Sequence, residues 1–270
     1  MTATTLDAPR ISYPEGGNAA CAQVEDSSFW FRHRNRVILD QLERFPPAGP
    51  LWDIGGGNGF VSAAMQNAGY EVVLVEPGAI GCRTAEARGV RRVCCGTLEE
   101  QSPPPGSIAA AGLFDVLEHI QDDLGFLETL ATALQPGGRL FLTVPAFNAL
   151  WSAEDDHAGH FRRYTVRTLS KVLGEAGFAV EFASPFFGIL TLPLFAVRTV
   201  PSILGVRSQV KADTTAKEHT APAGIFGRMF DRVLGRERQR LKCGRRMRVG
   251  TSLIAVARRA GSRQRPEVNS

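Results

Sequence analysis

Asp53-Ile54-Gly55-Gly56-Gly57-Asn58-Gly59-Phe60 is the stretch that decides the fold of this 270-residue chain. It follows the short apolar run from Leu51, packs four glycines into five positions, and ends where Phe60 opens a helical pattern that reaches Ala68. Glycine has no Cβ, so the loop can turn tightly and let a ligand approach its backbone. A buried-type strand, a glycine loop and a helix in that order begin an α/β unit whose ligand sits beyond the strand's carboxyl end.

Working outward, the same rhythm repeats. Glu71–Val75 predicts a second strand ending at Glu76, 21 residues after Gly55, where a carboxylate can accept hydrogen bonds from ribose hydroxyls. Ala79–Arg88 predicts a helix, Val90–Cys95 a strand, Ile108–Phe114 a strand, and Asp122–Leu134 a helix stopped by Pro136-Gly137-Gly138. Leu140–Val144, Phe178–Ala183 and Ser252–Val256 complete seven strands, with a helix over Val166–Ala176. Before the glycine loop, Ser28–Glu43 carries helical spacing. Alternating strands and helices predict an α/β, Rossmann-like, mostly parallel seven-stranded sheet covered by helices on both faces. The predicted organisation is a loose lead-in over 1–27, a core over 28–183 and 250–260, a helical insert over 184–249 between the last two strands, and a tail over 261–270.

The glycine loop reads GxGxG. A dinucleotide fingerprint needs a third glycine where Phe60 stands, and a P-loop needs a lysine followed by Ser or Thr, which is absent. With the segments that follow, the chain resembles the class I S-adenosylmethionine-dependent methyltransferases from about Leu51 to Ala183. Gly96-Thr97-Leu98-Glu99-Glu100 stands at the family's adenine turn, with Thr97 where the family often has Asp. Phe114-Asp115-Val116-Leu117-Glu118-His119-Ile120 resembles the segment bordering the cofactor's methionine end. The resemblance implies S-adenosylmethionine as cofactor, S-adenosylhomocysteine as product, and a cofactor set of Asp53, Gly55, Gly56, Gly57, Asn58, Gly59, Glu76, Pro77, Thr97, Leu98, Asp115, Val116 and His119. Singly, each has a plainer reading: Asp53 capping the turn, Glu76 a solvated strand end, His119 bonded to backbone.

After the fifth strand, Trp151-Ser152-Ala153-Glu154-Asp155-Asp156-His157-Ala158-Gly159-His160-Phe161-Arg162-Arg163-Tyr164 is the densest polar and aromatic run. It resembles a Trp-Ser…Asp…His-x-Arg-Arg-Tyr segment in a bacterial small-molecule methyltransferase subgroup. That subgroup also tends to start with an aromatic-Arg helix, as in Phe29-Trp30-Phe31-Arg32-His33-Arg34 here. An acceptor hydroxyl or ammonium must lose a proton, and histidine takes one near neutral pH. The catalytic candidates are therefore His160 first, His157 second, and Asp155 as the group orienting His160. Trp30, Phe31, Arg34, Trp151, Arg162, Arg163 and Tyr164 are the expected substrate contacts, the arginines suiting phosphate or carboxylate. Equally open is a structural role, with Asp155 and Arg163 pinning the loop and Thr165 capping the next helix.

Net charge is +4, yet 228–248 holds nine Lys or Arg against two acids. That segment reads either as a solvated helix face or as a surface for anionic lipid or a lipid-linked, phosphate-bearing acceptor. The apolar run Phe186–Val197 is too short to span a bilayer. Five cysteines without a CxxC pair predict neither a metal site nor a disulfide framework, and so a cytoplasmic, at most membrane-peripheral, protein. The expected partner is a small-molecule acceptor such as a sugar or specialised metabolite; nucleic acid is not expected. Methyl transfer to its oxygen or nitrogen is the first reading of function. A lipid-linked acceptor and a non-catalytic cofactor-binding protein are the alternatives.

Overall fold

The computed structural model describes residues 21–22, 24–194, 196 and 224–261. Much of the expected insert, most of the lead-in and the tail beyond Gly261 lie outside these residues. Seven strands, β1 (Leu51–Ile54), β2 (Val72–Glu76), β3 (Val93–Cys95), β4 (Ile108–Phe114), β5 (Leu134–Pro145), β6 (Phe178–Phe186) and β7 (Ser252–Arg259), form one sheet in the order β3-β2-β1-β4-β5-β7-β6. β1 to β5 pair in parallel, and β7 runs antiparallel between β5 and β6.

The strands read as near-continuous apolar runs because both faces are covered. Side-chain direction alternates along each strand. Leu140, Leu142 and Val144 of β5 join Leu253, Ala255 and Ala257 of β7 in one core, while Phe141, Ile254 and Val256 face the other. The first core is closed by α5 (Asp123–Ala133), through Leu127 and Leu130, and by α7 (Val166–Glu175), through Leu169 and Leu173. The second is closed by α1 (Phe29–Arg44), α2 (Phe60–Asn67) and α9 (Gly224–Lys242), which contribute Ile38 and Leu42, Met65, and Phe230 and Leu234. Each such large side chain stabilises the fold by about 1.5–3 kcal/mol on burial. Further helices among the described residues include α3 (Ala79–Ala87), α4 (Leu98–Gln101), α6 (Ala153–Ala158) and α8 (Gly188–Leu194).

Helix starts follow local chemistry. The Ser28 hydroxyl accepts from the N–H groups of Trp30 and Phe31, Asp122 caps α5, and Thr165 caps α7.

Three expectations change. β5 begins at Leu134 rather than Leu140: Leu134 already pairs with Ile108, pairing resumes at Arg139–Ala110, and Pro136-Gly137-Gly138 bulges out between them. β3 is shorter than predicted, because Val90 turns inward with Leu74 and Ala85 before the strand begins. Most directly, a disulfide joins Cys82 and Cys95, where none was expected. Thirteen residues separate them in sequence, but the β3–β2–α3 packing brings their Cα atoms to 6.1 Å, within disulfide range. No described helix is long and apolar enough to cross a membrane.

Candidate functional site

Chain order reverses between β1 and β4, and a cavity of about 570 Å³ opens beyond the strand ends there. One end is built by the glycine loop. Gly55 has φ +70°, and a Cβ on it would lie 2.8 Å from the Val116 side chain; Gly59, at φ +73°, would meet Ala85 at 2.8 Å. Glu76 faces this loop from β2. Its Oε2 accepts from the Gly57 N–H at 3.0 Å and its Oε1 from the Gly78 N–H at 2.8 Å, so one carboxylate fixes both turns. Asp53 lies beneath, with Oδ2 accepting from the Ser62 hydroxyl at 2.6 Å and Oδ1 without a hydrogen-bond partner among the described residues. Burial pushes its carboxyl up to about 6.

Thr97, Leu98, Pro77, Gly56, Gly57 and Asn58 also line the cavity. The Thr97 hydroxyl accepts from the Glu100 N–H and caps α4, a task that explains a hydroxyl at this turn. Gly59 does not line the cavity; it sits behind the wall, where α2 starts against α3.

The opposite end is polar. Asp115 has φ +58°, a conformation few non-glycine residues adopt. It is held by the Thr143 hydroxyl at 3.0 Å and by Arg34, whose guanidinium lies over the Trp30 and Phe31 rings. His160 Nδ1 and Asp155 Oδ1 are 2.7 Å apart. Asp155 is 1% exposed; burial opposes its ionisation, but hydrogen bonds from His160 and Arg163 outweigh that and hold it at about 2. Arg163 grips it through Nε and Nη2 at 2.8 and 2.9 Å, and the Ser152 N–H donates to its Oδ2. The His119 ring stands edge-on to His160, centroids 4.8 Å apart. Burial, then the neighbouring His160, lowers His119 to about 3. Glu118 is fully buried, and desolvation followed by Asp115 raises its pKa well above the usual range.

Among the other expected substrate-side residues, Trp30, Phe31, Arg34 and Arg163 line this cavity. Trp151, His157, Arg162 and Tyr164 do not. Trp151 donates to Asp156, Arg162 pairs with Asp123 and the Gln121 carbonyl, and the Tyr164 hydroxyl donates to Asp123. They hold the loop that presents Asp155 and His160.

The chain's residues 30–182 match the family model for a methyltransferase domain. The chain belongs to the methyltransferase-domain family. Over 171 residues it is 24% identical to a probable S-adenosylmethionine-dependent methyltransferase of Mycolicibacterium smegmatis, covering 62% of this chain and 66% of that one. Over 103 residues it is 29% identical to a ubiquinone biosynthesis O-methyltransferase of Xanthomonas campestris, covering 36% and 43%. The chain thus spans less than two thirds of these relatives' lengths. A SAM-dependent methyltransferase from Archaeoglobus fulgidus shares the fold, with TM-score 0.52, 16% identity, and 83% and 94% of the two chains covered.

As a class I methyltransferase domain, it takes S-adenosylmethionine as cofactor. The glycine loop and Glu76 suit that molecule. The space beside Gly55 is one a Cβ would fill, and a carboxylate has lone pairs enough to accept from ribose hydroxyls as well as from two N–H groups. Residues that sequence reasoning missed are Glu25, Phe29 and Glu118, all lining the methyltransferase cavity. Glu25 lies in what reads as a loose lead-in, yet it accepts from Asn58 at 3.2 Å and from Arg88 at 2.8 Å, which ties Glu25 to the glycine loop. Glu118 was legible only as part of the Leu-Glu-His segment; nothing in sequence says it turns inward.

Proposed function

We propose that the protein transfers the methyl group of S-adenosylmethionine to an oxygen or nitrogen of a small acceptor bound at the polar end of the cavity. The observation that carries this reading is the sharing of one cavity by the Gly55–Glu76 end and the Asp155–His160 end. When bound, the cofactor supplies an activated sulfonium methyl, so placement accounts for much of the rate.

The protein's residues do the rest. Glu76 and the glycine loop hold the nucleoside end. Ionised Asp155 accepts from the His160 Nδ1–H, which fixes the tautomer and leaves the Nε2 lone pair to take the acceptor's proton. Phe29, Trp30, Phe31 and Leu190 provide an apolar wall for the acceptor's body, and Arg163 anchors Asp155. One relative's naming as an O-methyltransferase of ubiquinone biosynthesis favours an oxygen acceptor.

The test is calorimetric titration with S-adenosylhomocysteine alongside turnover on acceptor panels. His160→Ala is expected to lower turnover about 10²–10⁴-fold, the range of a lost general base, with cofactor-product affinity unchanged. Full activity in that variant would remove His160 from the role. Absent binding in the wild type would bring forward the non-catalytic reading.

A second reading, a lipid-linked or phosphate-bearing acceptor at a membrane surface, is supported by α9. Arg228, Arg232, Arg236 and Arg240 recur every four residues along its exposed side, beside exposed Met229. Its inner side meets the cavity wall, with the Phe230 ring 4.9 Å from that of Phe29.

A further inference from the structure

We propose that Glu118, His119 and His160 bind one divalent first-row transition cation, of the Zn²⁺ class, at the acceptor end of the cavity. One ligand atom from each lies within 4.8 Å of the others. Ligand atoms around a tetrahedral Zn²⁺ at about 2.0–2.2 Å are about 3.3–3.6 Å apart, so side-chain adjustments on the order of 1 Å close the site.

Three observations point to a cation here. First, Glu118 is 1% exposed and its Oε2 has no hydrogen-bond partner among the described residues. A buried carboxylate oxygen left unsatisfied is costly, and a metal ion is one of the few groups that relieves it.

Second, the polar end holds more carboxylates than cations. Among the described residues lining the cavity, Asp115, Glu118 and Asp155 stand beside the guanidiniums of Arg34 and Arg163. Arg34 is engaged with Asp115 and Arg163 with Asp155, so both guanidiniums are already committed to other carboxylates.

Third, His160 is already arranged as ligating histidines are. Asp155 holds its Nδ1 at 2.7 Å, directing the lone pair to Nε2, and Asp155 is itself clamped by Arg163 and the Ser152 N–H. Two imidazoles and one carboxylate select zinc, cobalt, iron or manganese over calcium and magnesium, which prefer oxygen.

All three ligands line the cavity, so the cation's remaining positions face the bound acceptor and suit an oxygen-bearing one. The site rests on the reading of this end as the acceptor end. It also refines it: in the loaded site His160 Nε2 is a ligand, and an acceptor hydroxyl binds the cation as its conjugate base with the proton released to water. In the metal-free site His160 takes that proton.

The experiment is titration of chelator-stripped full-length protein with Co²⁺, followed by visible absorption, with S-adenosylhomocysteine binding measured on the same samples. One Co²⁺ per chain, displaced by Zn²⁺, is expected. Glu118→Gln and His160→Ala should each weaken binding at least tenfold, and Asp155→Asn by about 10–100-fold, as for other outer-shell partners. No saturable uptake by protein that still binds S-adenosylhomocysteine overturns the metal site and leaves the methyltransferase reading standing. Uptake unchanged in Glu118→Gln and His160→Ala also overturns it. Should those variants lose their circular dichroism, zinc-edge X-ray absorption of the wild type decides: two imidazoles in the ligand shell support the site, and none overturns it.

Discussion

Asp53 is a carboxyl sealed under the glycine loop, with one oxygen satisfied by Ser62 and burial raising its pKa from 3.8 to about 6. The sign of its effect on stability follows from which state holds the proton more tightly. The folded state does, so stability is greatest below the unfolded value of 3.8 and falls as pH rises through about 6. At neutral pH the ionised group costs on the order of 3 kcal/mol. Asp53→Asn keeps an acceptor for Ser62 and removes the charge. Urea unfolding should show the variant gaining on wild type between pH 4 and pH 7.5, by about 2–3 kcal/mol at the upper end. An equal difference at both pH values would rule out this titration as the cause.

At the scale of elements, Glu237 ties α9 to two other parts of the molecule. Its Oε1 lies 3.1 Å from His33 Nε2 on α1 and accepts from the Phe187 N–H at 2.7 Å, while Oε2 accepts from the Gly188 N–H at 2.7 Å. Phe187 is held at φ +61°, unfavourable for an aromatic residue, at the corner where β6 turns into α8. The carboxylate therefore fastens a strained corner as well as a helix. Glu237→Ala leaves buried donors unpaired and should cost about 3–5 kcal/mol in urea unfolding. Glu237→Gln, retaining one acceptor oxygen, should cost distinctly less, and equal costs would argue that only packing is lost. None of this was visible in sequence, where Glu237 is simply an acid within a basic segment. Phe230 and Leu234 of α9 lie four residues apart, a helical spacing that is local; the surface that covers them is set by the tertiary packing.

Across the whole molecule, charge is divided. Asp40, 2% exposed, accepts from Arg238 through both oxygens, and Lys242 pairs with Glu43, so part of the basic segment is spent on docking α9 to α1. Arg228, Arg232, Arg236 and Arg240 stay exposed, as do Arg245, Arg246 and Arg248 beyond the helix. If the membrane reading holds, the protein should co-float at low salt with vesicles containing phosphatidylglycerol and not with phosphatidylcholine alone. Joint replacement of Arg228, Arg232 and Arg236 by Glu should abolish that. Failure of the wild type to co-float would remove the second reading of the acceptor and leave the small-molecule one.

The sequence by itself determined the α/β class, the seven strands and the glycine loop at the end of the first. Those features are written in local signals: runs of apolar residues, glycines at a strand end, and an acid closing the next strand. Gly57 and Glu76 meet because β1 and β2 are parallel neighbours, with Ile54 opposite Val75, a pairing that the alternation of strands and helices already implies. Only the tertiary structure decided which polar residues after β5 face the cavity. Asp155, His160 and Arg163 converge there while His157, Trp151, Arg162 and Tyr164 turn to Asp156, Asp123 or solvent, since the direction of a loop side chain depends on what the loop packs against. The same holds for Cys82 with Cys95, for Glu25 over Asn58, and for Glu118 beside His119 and His160. Each pairing joins segments whose approach is set by the sheet order, and no short-range pattern in the chain encodes that approach.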